Sequence, residues 1–572
     1  MCGIFYYLAT DNPEQSNDHI HKTAMNIKNR GPERTSCLEI NTPVKMNIIF
    51  HRLAIMNQQQ MQNQEAKIPS FHGEQPFKIE TDTHYEFFIC NGEIYNYKEL
   101  CKAHNIEVSQ LNSDCSIIPL LYHYYKENMV KALQLLNAEF SMCMIRMEKN
   151  SGQVNVIAAT DHLSIRPMFI SWNPKSHLCI ASELKALVCN GNVLRAVPGT
   201  IYEFSYTPKT ENILSTAQIK YVDIENTKFE LDMPLEIVCN KIFETLCASV
   251  HQMIDTSDRP LGCLLSGGLD SSLVAAIAAN YMRKTSGKQL HTFSIGMPGS
   301  TDEIFAKKTA EFIGSKHTHV VFKEEDWIAA LEKVVYCIES FDVTTVRAST
   351  GQYLLSHWIS THTDIKVLLV GDGSDELTGG YLYFHYAPSP LHAHCENIRL
   401  LKDIHLYDVL RCDRTVAGHG IEVRVPFLSL SFVQLYLSID PSLRIPQKGI
   451  EKWLLRKAFE PHNFLPNEIL YRRKEAFSDG VSSHQNSWSQ QIQKYVDSIF
   501  TDEQFESAIA AGENLTPRIP KNKEALYYRS LFAKYFTHAL SPIIPYYWMP
   551  KWVNDIQDPS ARCLPIYNEL NK

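Results

Sequence analysis

The sequence has no apolar run long enough to cross a bilayer and no extended tract of lysine and arginine side chains. A membrane-spanning helix needs about 20 consecutive apolar residues, and nucleic-acid backbones are bound by basic surfaces. The formal net charge of −8 also disfavours a nucleic acid. We therefore expect neither a membrane nor a nucleic acid among the partners of this chain.

The sequence also lacks closely spaced cysteine pairs and the features of a secretion signal. The fifteen cysteines are scattered without a C-x-x-C pair, and several, such as Cys143, Cys179 and Cys263, lie in apolar runs. This spacing disfavours both a disulfide framework and a structural zinc site. The apolar N-terminus lacks the basic residues that begin a signal peptide. Together these features predict a cytoplasmic protein in a reducing compartment.

The length of 572 residues exceeds what one hydrophobic core usually supports, so we expect two or more domains. A polar segment without clear periodicity, residues 207–230, is interpreted as a linker. It separates an N-terminal domain, residues 2–206, from a second domain, residues 231–556. Residues 557–572 are assigned to a C-terminal tail.

A loop with two adjacent glycines, Ser266–Ser272, lies near the middle of the chain. The apolar run Leu261–Leu265 enters it and predicts a buried strand, and a helical pattern follows it. Adjacent glycines before a helix start let backbone N–H groups approach an anion, which suits a phosphate. No lysine follows the second glycine, so this is not the lysine-type nucleotide loop, and Asp270 fits beside phosphates mainly as a Mg²⁺ ligand. An ordinary strand–turn–helix junction is the alternative.

A second loop, Gly371–Gly380, carries three acids among glycines. It follows the predicted strand Val367–Val370, in a region where helices and strands alternate. Such alternation predicts a parallel sheet covered by helices, with ligands beyond the carboxyl ends of the strands, where both loops fall. We expect Asp270 and Asp375 to hold Mg²⁺ over a pyrophosphate. A solvated acidic turn is the alternative.

Cys2 is the candidate nucleophile of the N-terminal domain. Removal of the initiator methionine would leave Cys2 with a thiol and a free α-amine, whose pKa of about 8 makes it a usable base near neutral pH. A nucleophile and a base within one residue can form a covalent acyl-enzyme. Most cysteines at position 2 have no such role, so this interpretation depends on residues further along.

Several polar residues could serve such a nucleophile. Arg52 lies in an apolar, strand-like stretch, where its guanidinium could bind a substrate carboxylate or form a structural ion pair. Asn91 and Gly92 follow the predicted strand Phe87–Cys90 and form either a plain hairpin turn or an oxyanion hole. Two further carboxylates could bind a substrate ammonium group: Glu93 and Asp114.

The N-terminal part resembles the glutaminase domain of the N-terminal-nucleophile amidotransferases, which is an αββα sandwich. The shared motifs follow the family's order: Cys2-Gly3-Ile4, Arg30-Gly31-Pro32, His51-Arg52-Leu53, Asn91–Asn96, Ser113-Asp114 and Ser182–Leu187. The resemblance implies that Cys2 attacks the side-chain amide of glutamine and releases ammonia, with Asn91 and Gly92 holding the oxyanion. Glutamine would be bound by Arg52, Leu53, Ala54, Ile55, Met56, Asn91, Gly92, Glu93 and Asp114.

The rest of the chain resembles the synthetase domain of the glutamine-hydrolysing asparagine synthetases, an α/β ATP-pyrophosphatase fold with a doubly wound parallel sheet. The shared motifs are Ser266–Ser272, Gly371–Glu376, Asp342–Thr350, Asp408–Arg414, Glu422–Leu428 and, as in eukaryotic members, Tyr547–Trp552. The resemblance implies that ATP is bound by Leu264, Ser266, Gly267, Gly268, Asp270, Ser271, Ser272, Ile295, Val370 and Gly371. It also implies Mg²⁺ on Asp270 and Asp375, and catalytic roles for Thr344, Arg347, Asp372 and Lys474.

Both resemblances together imply asparagine formation from aspartate, glutamine and ATP through β-aspartyl-AMP. Ammonia would pass between the domains, and a tunnel is a hypothesis because free ammonia would be protonated in water. A homodimer is left open. The alternatives are another type-2 glutamine amidotransferase, which the two phosphate-site loops disfavour, and a β-lactam-synthetase-like ATP-pyrophosphatase enzyme, which Cys2 disfavours.

Several positions depart from the family pattern. Val370 stands where serine is common, and Asp372 is one methylene shorter than the frequent glutamate. Gly351-Gln352 replaces Pro-Met, and Ser429 replaces an aspartate. The segment Thr160–Pro167 also differs from the usual R-D-x-x-G-x-x-P. Because Asp372 keeps the charge but shortens the reach, we expect turnover to differ from that of other members.

Overall fold

The computed structural model describes residues 1–10, 16–41, 44–56, 73–188, 192–483, 485–512, 518–537, 540, 543–553 and 556–570. The chain divides into two units. The first contains Met1–Asp223, Asp255–Pro260 and Ala417–Glu422, and the second contains Ile224–Ile254, Leu261–Val416 and Val423–Lys572.

Within its described residues, the first unit contains two antiparallel sheets of six strands each. Its strands are β1 (Gly3–Ala9), β2 (Arg34–Ile40), β3 (Lys45–Arg52), β4 (Phe77–Glu80), β5 (His84–Ile94), β6 (Ala138–Glu148), β7 (Val154–Thr160), β8 (Phe169–Asn173), β9 (His177–Ala181), β10 (Asn192–Arg195), β11 (Thr200–Thr207) and β12 (Asn212–Lys220). The strand orders are β10-β8-β9-β1-β3-β2 and β12-β11-β7-β6-β5-β4. Its α-helices are α1 (Asn17–Ala24), α2 (Tyr97–His104), α3 (Ile117–Tyr124) and α4 (Met129–Gln134).

These elements stack in four layers. Buried side chains of both sheets, such as Tyr6, Phe50, Ile89 and Val156, form one core between them. A second core lies between the outer face of the β5–β7 sheet and helices α2, α3 and α4. On the other sheet, the 3₁₀ turn Met25–Arg30 packs against β1 and β3 and joins α1. The αββα sandwich predicted for this unit is confirmed.

The second unit is built on a five-stranded sheet. Its strands are β13 (Leu261–Leu264), β14 (His291–Gly296), β15 (Lys316–Val321), β16 (Val367–Leu369) and β17 (Glu422–Arg424). Its first helices are α5 (Leu235–Asp255), α6 (Leu269–Ser286), α7 (Thr301–Ile313), α8 (Glu324–Ile338), α9 (Val343–His362), α10 (Ser374–Thr378), α11 (Pro390–Asp403) and α12 (Asp408–Ala417). The later ones are α13 (Leu430–Ser438), α14 (Pro441–Arg444), α15 (Trp453–Phe459), α16 (Asn467–Leu470), α17 (Phe477–Gly480), α18 (Trp488–Ile499), α19 (Asp502–Ala510), α20 (Lys523–Tyr535) and α21 (Pro565–Leu570).

The strand order of this sheet is β15-β14-β13-β16-β17. β13 pairs in parallel with β14 on one side and with β16 on the other. The chain therefore winds outward from β13 in one direction and returns to its opposite side, as the predicted doubly wound sheet requires. The loops after β13 and β16 meet where the order reverses, which is where ligands bind in such sheets.

The interpretation of residues 207–230 as a linker is wrong for part of that segment. β12 (Asn212–Lys220) pairs with β11 along the edge of the second antiparallel sheet. Most of its side chains are exposed, so its composition is polar although its backbone is in a sheet. An exposed edge strand gives no clear hydrophobic alternation, which is the signal that strand prediction uses.

The residues assigned to a C-terminal tail pack on the second unit. Leu564 and Ile566 belong to a buried cluster with Tyr383, Phe384 and Trp548. No helix among the described residues is long and apolar enough to span a membrane. The cysteines that the structure describes are all free thiols, as the spacing predicted.

Candidate active sites

Cys2 lies just before β1, beside the end of β3. The pairing of Gly3 with His51 brings the Cys2 thiol next to the segment that follows Arg52, and Cys2 Sγ lies 3.7 Å from the carbonyl oxygen of Leu53. Arg30 Nε donates to the Cys2 carbonyl oxygen at 3.0 Å. Burial raises the pKa of the Cys2 thiol, and the nearby N-terminal ammonium and Arg52 guanidinium counteract that increase.

Asn91, the predicted oxyanion donor, lies against the backbone of Cys2. Its Oδ1 accepts from the backbone N–H of Cys2 at 2.8 Å, which orients the amide. Its Nδ2 is buried and has no hydrogen-bond partner among the described residues. A side chain at Gly92 would come within 2.5 Å of the Glu139 carbonyl oxygen, so only glycine fits there. The arrangement leaves a buried N–H donor on a side chain that is held against Cys2, which is compatible with oxyanion stabilisation.

The residues predicted to bind glutamine lie around the same point. Arg52 is 5% exposed and has no ion-pair partner in the described part of the chain, which favours a ligand role over a structural pair. Glu93 and Asp114 are buried, and Asp114 Oδ2 accepts from the Ile94 N–H at 2.7 Å. Met56 is partly buried.

Hydrogen bonds with residues outside β3 hold the backbone that follows this strand, at Leu53, Ala54 and Ile55. The Ala54 N–H donates to Glu33 at 2.7 Å, and its carbonyl oxygen accepts from Arg259 at 3.1 Å. The Ile55 carbonyl oxygen accepts from the Asp258 N–H at 3.1 Å. These bonds hold the backbone of the segment in place beside Cys2.

The second site is formed by the loops after β13 and β16. Gly267 has φ +77°, and a side chain there would clash with Phe305 and Ala306. Gly268 caps α6, so that the first N–H groups of this helix face the pocket opening. A Cβ at Gly371 would lie 2.6 Å from the Ser271 nitrogen. The two loops approach this closely only because that side chain is missing.

One pocket receives most of the predicted ATP and catalytic residues. Those that line it are Leu264, Ser266, Gly268, Asp270, Ser271, Ile295, Thr344, Val370, Gly371, Asp372, Asp375 and Lys474. Gly267, Ser272 and Arg347 do not line it. Ser272 is fully buried and its hydroxyl faces Thr309 at 3.4 Å. The Thr344 hydroxyl is buried in the pocket wall without a partner among the described residues, which suits contact with a ligand.

Lys452 connects the two loops, and sequence reasoning missed it. Its Nζ lies 2.6 Å from Asp270 Oδ2 and 2.6 Å from Asp375 Oδ1, while Lys474 Nζ lies 2.5 Å from Asp375 Oδ2. The two ammonium groups hold the pKa of Asp375 well below its usual range, although burial opposes this. The available signal was a pair of charged residues, Glu451 and Lys452, immediately before the apolar start of α15.

The two aspartates are suitable Mg²⁺ ligands, both in the type of donor atom and because their carboxylates lie close together. Carboxylate oxygens are the ligands that Mg²⁺ prefers, and Asp270 and Asp375 come together from different loops. In the structure, Lys452 Nζ lies between them and contacts both carboxylates. An ion held by these residues would therefore have to share them with this ammonium group, on the side that faces the pocket.

Arg347 lies away from the pocket, in a buried ion cluster. Its guanidinium donates to Glu524 at 2.8 and 2.5 Å and to Asp558 at 2.9 and 2.7 Å. It lies on α9 three residues after Thr344. Four of its five N–H donors are used by these two carboxylates, and it does not line the pocket, so its contacts are those of a structural ion pair.

We expect replacement of Arg347 by methionine to lower the free energy of unfolding of the second unit by about 3–5 kcal/mol, because Glu524 would remain buried without its partner. Chemical denaturation followed by tryptophan fluorescence measures the loss. The matched control is Lys523→Met. Lys523 pairs with the exposed Asp497 and Asp502, and such solvent-exposed pairs contribute little, so a much smaller change is expected. Equal stability of both variants would contradict the structural role.

Asp372 is the acid at the base of the second loop. Its Oδ1 accepts from Arg411 Nη2 at 2.5 Å, and Arg411 also pairs with Asp408 at 2.7 Å. Burial raises the pKa of Asp372, and the Arg411 guanidinium counteracts that increase. Arg411 and Asp408 line the pocket as well. Both belong to a motif noted in the sequence, but their contact with Asp372 was not predicted.

The structure accounts for three of the family departures. A Cβ at Gly351 would lie 2.7 Å from the Trp327 ring, so the usual proline has no room. The Val370 N–H donates to the Arg424 carbonyl oxygen at 3.1 Å, a backbone bond that does not depend on the side chain. The Ser429 hydroxyl lies 2.6 Å from that of Ser249, so the serine at this position belongs to a buried neutral pair.

The two units thus combine a thiol site of the glutamine amidotransferase class with a phosphate-binding site at the switch point of a parallel sheet. Family models match accordingly: the glutamine amidotransferase domain over residues 1–218, and asparagine synthase over residues 241–400 and 388–557. Glutamine-hydrolysing asparagine synthetases align with the whole chain. Those of Cricetulus griseus and Homo sapiens are 38% and 37% identical over 100% of both chains, and that of Gallus gallus is 38% identical over 99%.

The chain belongs to the glutamine-hydrolysing asparagine synthetase family, as its motifs predicted. The full-length match includes both units, and it supports neither of the two alternative readings. The family assignment leaves the role of each site residue open.

Proposed function

We propose that this protein makes asparagine from aspartate, with glutamine as the nitrogen donor and ATP as the energy source. One observation carries the proposal. Asp270, Asp375, Lys452 and Lys474 converge at the switch point of the parallel sheet, beside the N-terminus of α6. This combination of charges suits a polyphosphate that must be bound and then released as pyrophosphate.

At the first site, Cys2 acts as the nucleophile on glutamine. Its sulfur attacks the side-chain amide carbon, ammonia leaves, and water then cleaves the thioester to give glutamate. The Asn91 Nδ2 group and the Gly92 backbone stabilise the oxyanion of each tetrahedral intermediate. Arg52 binds the glutamine α-carboxylate, Glu93 and Asp114 bind its ammonium group, and the Leu53–Met56 backbone lines the pocket.

We also propose that Met1 is removed before this chemistry. In the structure, the Met1 ammonium pairs with the buried Glu422 at 2.9 Å, and the nitrogen of Cys2 is an amide that cannot act as a base. Removal would convert that nitrogen into an α-amine beside the thiol. Mass spectrometry of the active protein should find Cys2 as the first residue. A fully active protein that retains Met1 would contradict this step.

At the second site, an oxygen of the aspartate β-carboxylate attacks the α-phosphorus of ATP, and pyrophosphate leaves. The N–H groups at the start of α6, together with Ser266 and Ser271, bind the departing phosphates, and Lys474 offsets their charge. The backbone near Leu264, Ile295 and Gly371 holds the nucleotide. Ammonia from the first site then attacks the β-carbonyl carbon and displaces AMP. Asp372 and Thr344 act on this second step.

Mg²⁺ would be held by Asp270 and Asp375 and would neutralise part of the charge on the phosphates. We further propose that the protein acts in the cytoplasm and assembles as a homodimer. Light scattering of the purified protein would distinguish a dimer from a monomer.

The deciding experiment supplies aspartate, ATP and Mg²⁺ with either glutamine or ammonium. With either nitrogen source, we expect asparagine, AMP and pyrophosphate to form in equal amounts to one another. Glutamate should form only when glutamine is supplied. Absence of asparagine under both conditions would overturn the proposed function. If asparagine formed with ammonium but not with glutamine, only the roles assigned to Cys2 and its neighbours would be overturned. The function proposed for the second site would stand.

A further inference from the structure

Gln352 occupies a position in the pocket wall where other family members usually have methionine. It lies on α9 one turn apart from Ala348, which also lines the pocket, and its side chain is only 2% exposed. Its Oε1 accepts from Arg411 Nη1 at 3.0 Å. Its Nε2 lies 3.8 Å from the sulfur of the buried Cys412. A buried amide in this position needs an explanation, because methionine would avoid the cost of burying polar atoms.

The partner of Gln352 is the guanidinium that contacts Asp372. Arg411 uses Nη2 for Asp372 and Asp408, at 2.5 and 2.7 Å, and Nε for Asp408 at 3.2 Å. Gln352 is thus the acceptor for the remaining nitrogen, Nη1. A thioether accepts hydrogen bonds only weakly, so methionine could not take this place. With Gln352 present, acceptors contact the guanidinium on three sides and its plane is fixed.

We propose that Gln352 is a positioning residue, which fixes the Arg411 guanidinium and, through it, the Asp372 carboxylate in the pocket. The inference rests on the proposed function, because it concerns the amide-forming half of that reaction. It also connects two departures from the family pattern. Asp372 reaches one methylene less far than the usual glutamate, so its placement depends more strongly on how its partner is held.

Without Gln352, the guanidinium would be anchored only by Asp372 and Asp408. Both accept from Nη2, and Asp408 also accepts from Nε, so nothing would then hold Nη1. Rotation of the Arg411 guanidinium toward Asp408 would then lengthen its contact with Asp372, while the ion pair with Asp408 would be kept. The effect should fall on the step that uses Asp372 and not on nucleotide binding at the phosphate loop.

The test is Gln352→Met, measured in two partial reactions. Aspartate-dependent exchange of pyrophosphate into ATP reports adenylation, and ammonium-dependent asparagine formation reports the whole second site. We expect asparagine formation to fall about tenfold, the effect of one lost hydrogen bond to a charged group, with exchange changed less than about twofold. The control is Leu354→Met, a buried substitution on the same helix but outside the pocket lining, which should leave both rates unchanged.

A double-mutant cycle with Asp372→Glu provides the second readout. If the two departures compensate each other, Gln352→Met should cost less in the Asp372→Glu background than in the natural one. Equal losses of rate in pyrophosphate exchange and in asparagine formation would show a merely structural role and overturn the inference. Strictly additive effects of the two substitutions in the cycle would overturn it too. Unchanged asparagine formation by Gln352→Met would overturn it as well. Failure of the unmodified protein to form asparagine would instead refute the proposed function on which the inference rests.

Discussion

Replacement of Cys2 by alanine is expected to abolish asparagine formation from glutamine and to leave formation from ammonium within about twofold of the natural rate. The reason is that the thiol is the only group proposed to attack the amide of glutamine, and loss of such a nucleophile typically costs many orders of magnitude in rate. The second site keeps its own residues and accepts ammonia from solution. The measurement is asparagine produced with each nitrogen source at saturating aspartate and ATP.

The matched control for this variant is Cys37→Ala, which changes an exposed cysteine of the same unit. It should hydrolyse glutamine at the natural rate. Loss of both activities in a folded Cys2→Ala protein would contradict separate sites joined by ammonia transfer. Retained hydrolysis of glutamine would mean that another group is the nucleophile.

The second large effect is expected for Asp270→Asn. The substitution keeps the size of the side chain but removes the charge that pairs with Lys452 at 2.6 Å. It would leave Lys452 and Lys474 with one carboxylate, Asp375, and would remove one of the two proposed Mg²⁺ ligands. We expect AMP formation to fall at least about a hundredfold, which is the typical cost of losing one preorganised electrostatic group.

Glutamine hydrolysis by Asp270→Asn should continue, because Cys2 and its surroundings belong to the other unit. The control is Asp502→Asn, which changes an exposed aspartate in the first turn of α19. That variant should form AMP at the natural rate. Normal AMP formation by Asp270→Asn would remove this residue from the phosphate site. A parallel loss of hydrolysis would point to unfolding, which circular dichroism would detect.

Much of the second unit could be predicted from local patterns. The apolar run that ends at Leu265 and the run that ends at Val370 are strands, and the glycine loops after them meet in one pocket. This worked because a central parallel strand is buried on both faces and therefore has a continuous apolar sequence. Edge strand β12 was missed for the opposite reason, since it is mostly exposed.

Single side chains were harder to predict than elements. Arg347 and Thr344 lie three residues apart on α9, yet only Thr344 lines the pocket. Their spacing does not tell which one faces the pocket, because the residues that bind Arg347, Glu524 and Asp558, come from far along the chain. The partners of a buried charge are decided by packing, which a motif does not contain.

The sequence by itself determined the family, the candidate nucleophile and the two loops. Those features depend on short stretches, because a glycine turn, a helix start and a terminal cysteine act through their immediate neighbours. The tertiary structure decided how the charges are paired. Lys452 reaches Asp270 and Asp375 only because the chain returns to β13 from β16 and places both loops at one point. A buried ammonium group is stable only where carboxylates from separate segments meet it, and that condition exists only in the folded chain.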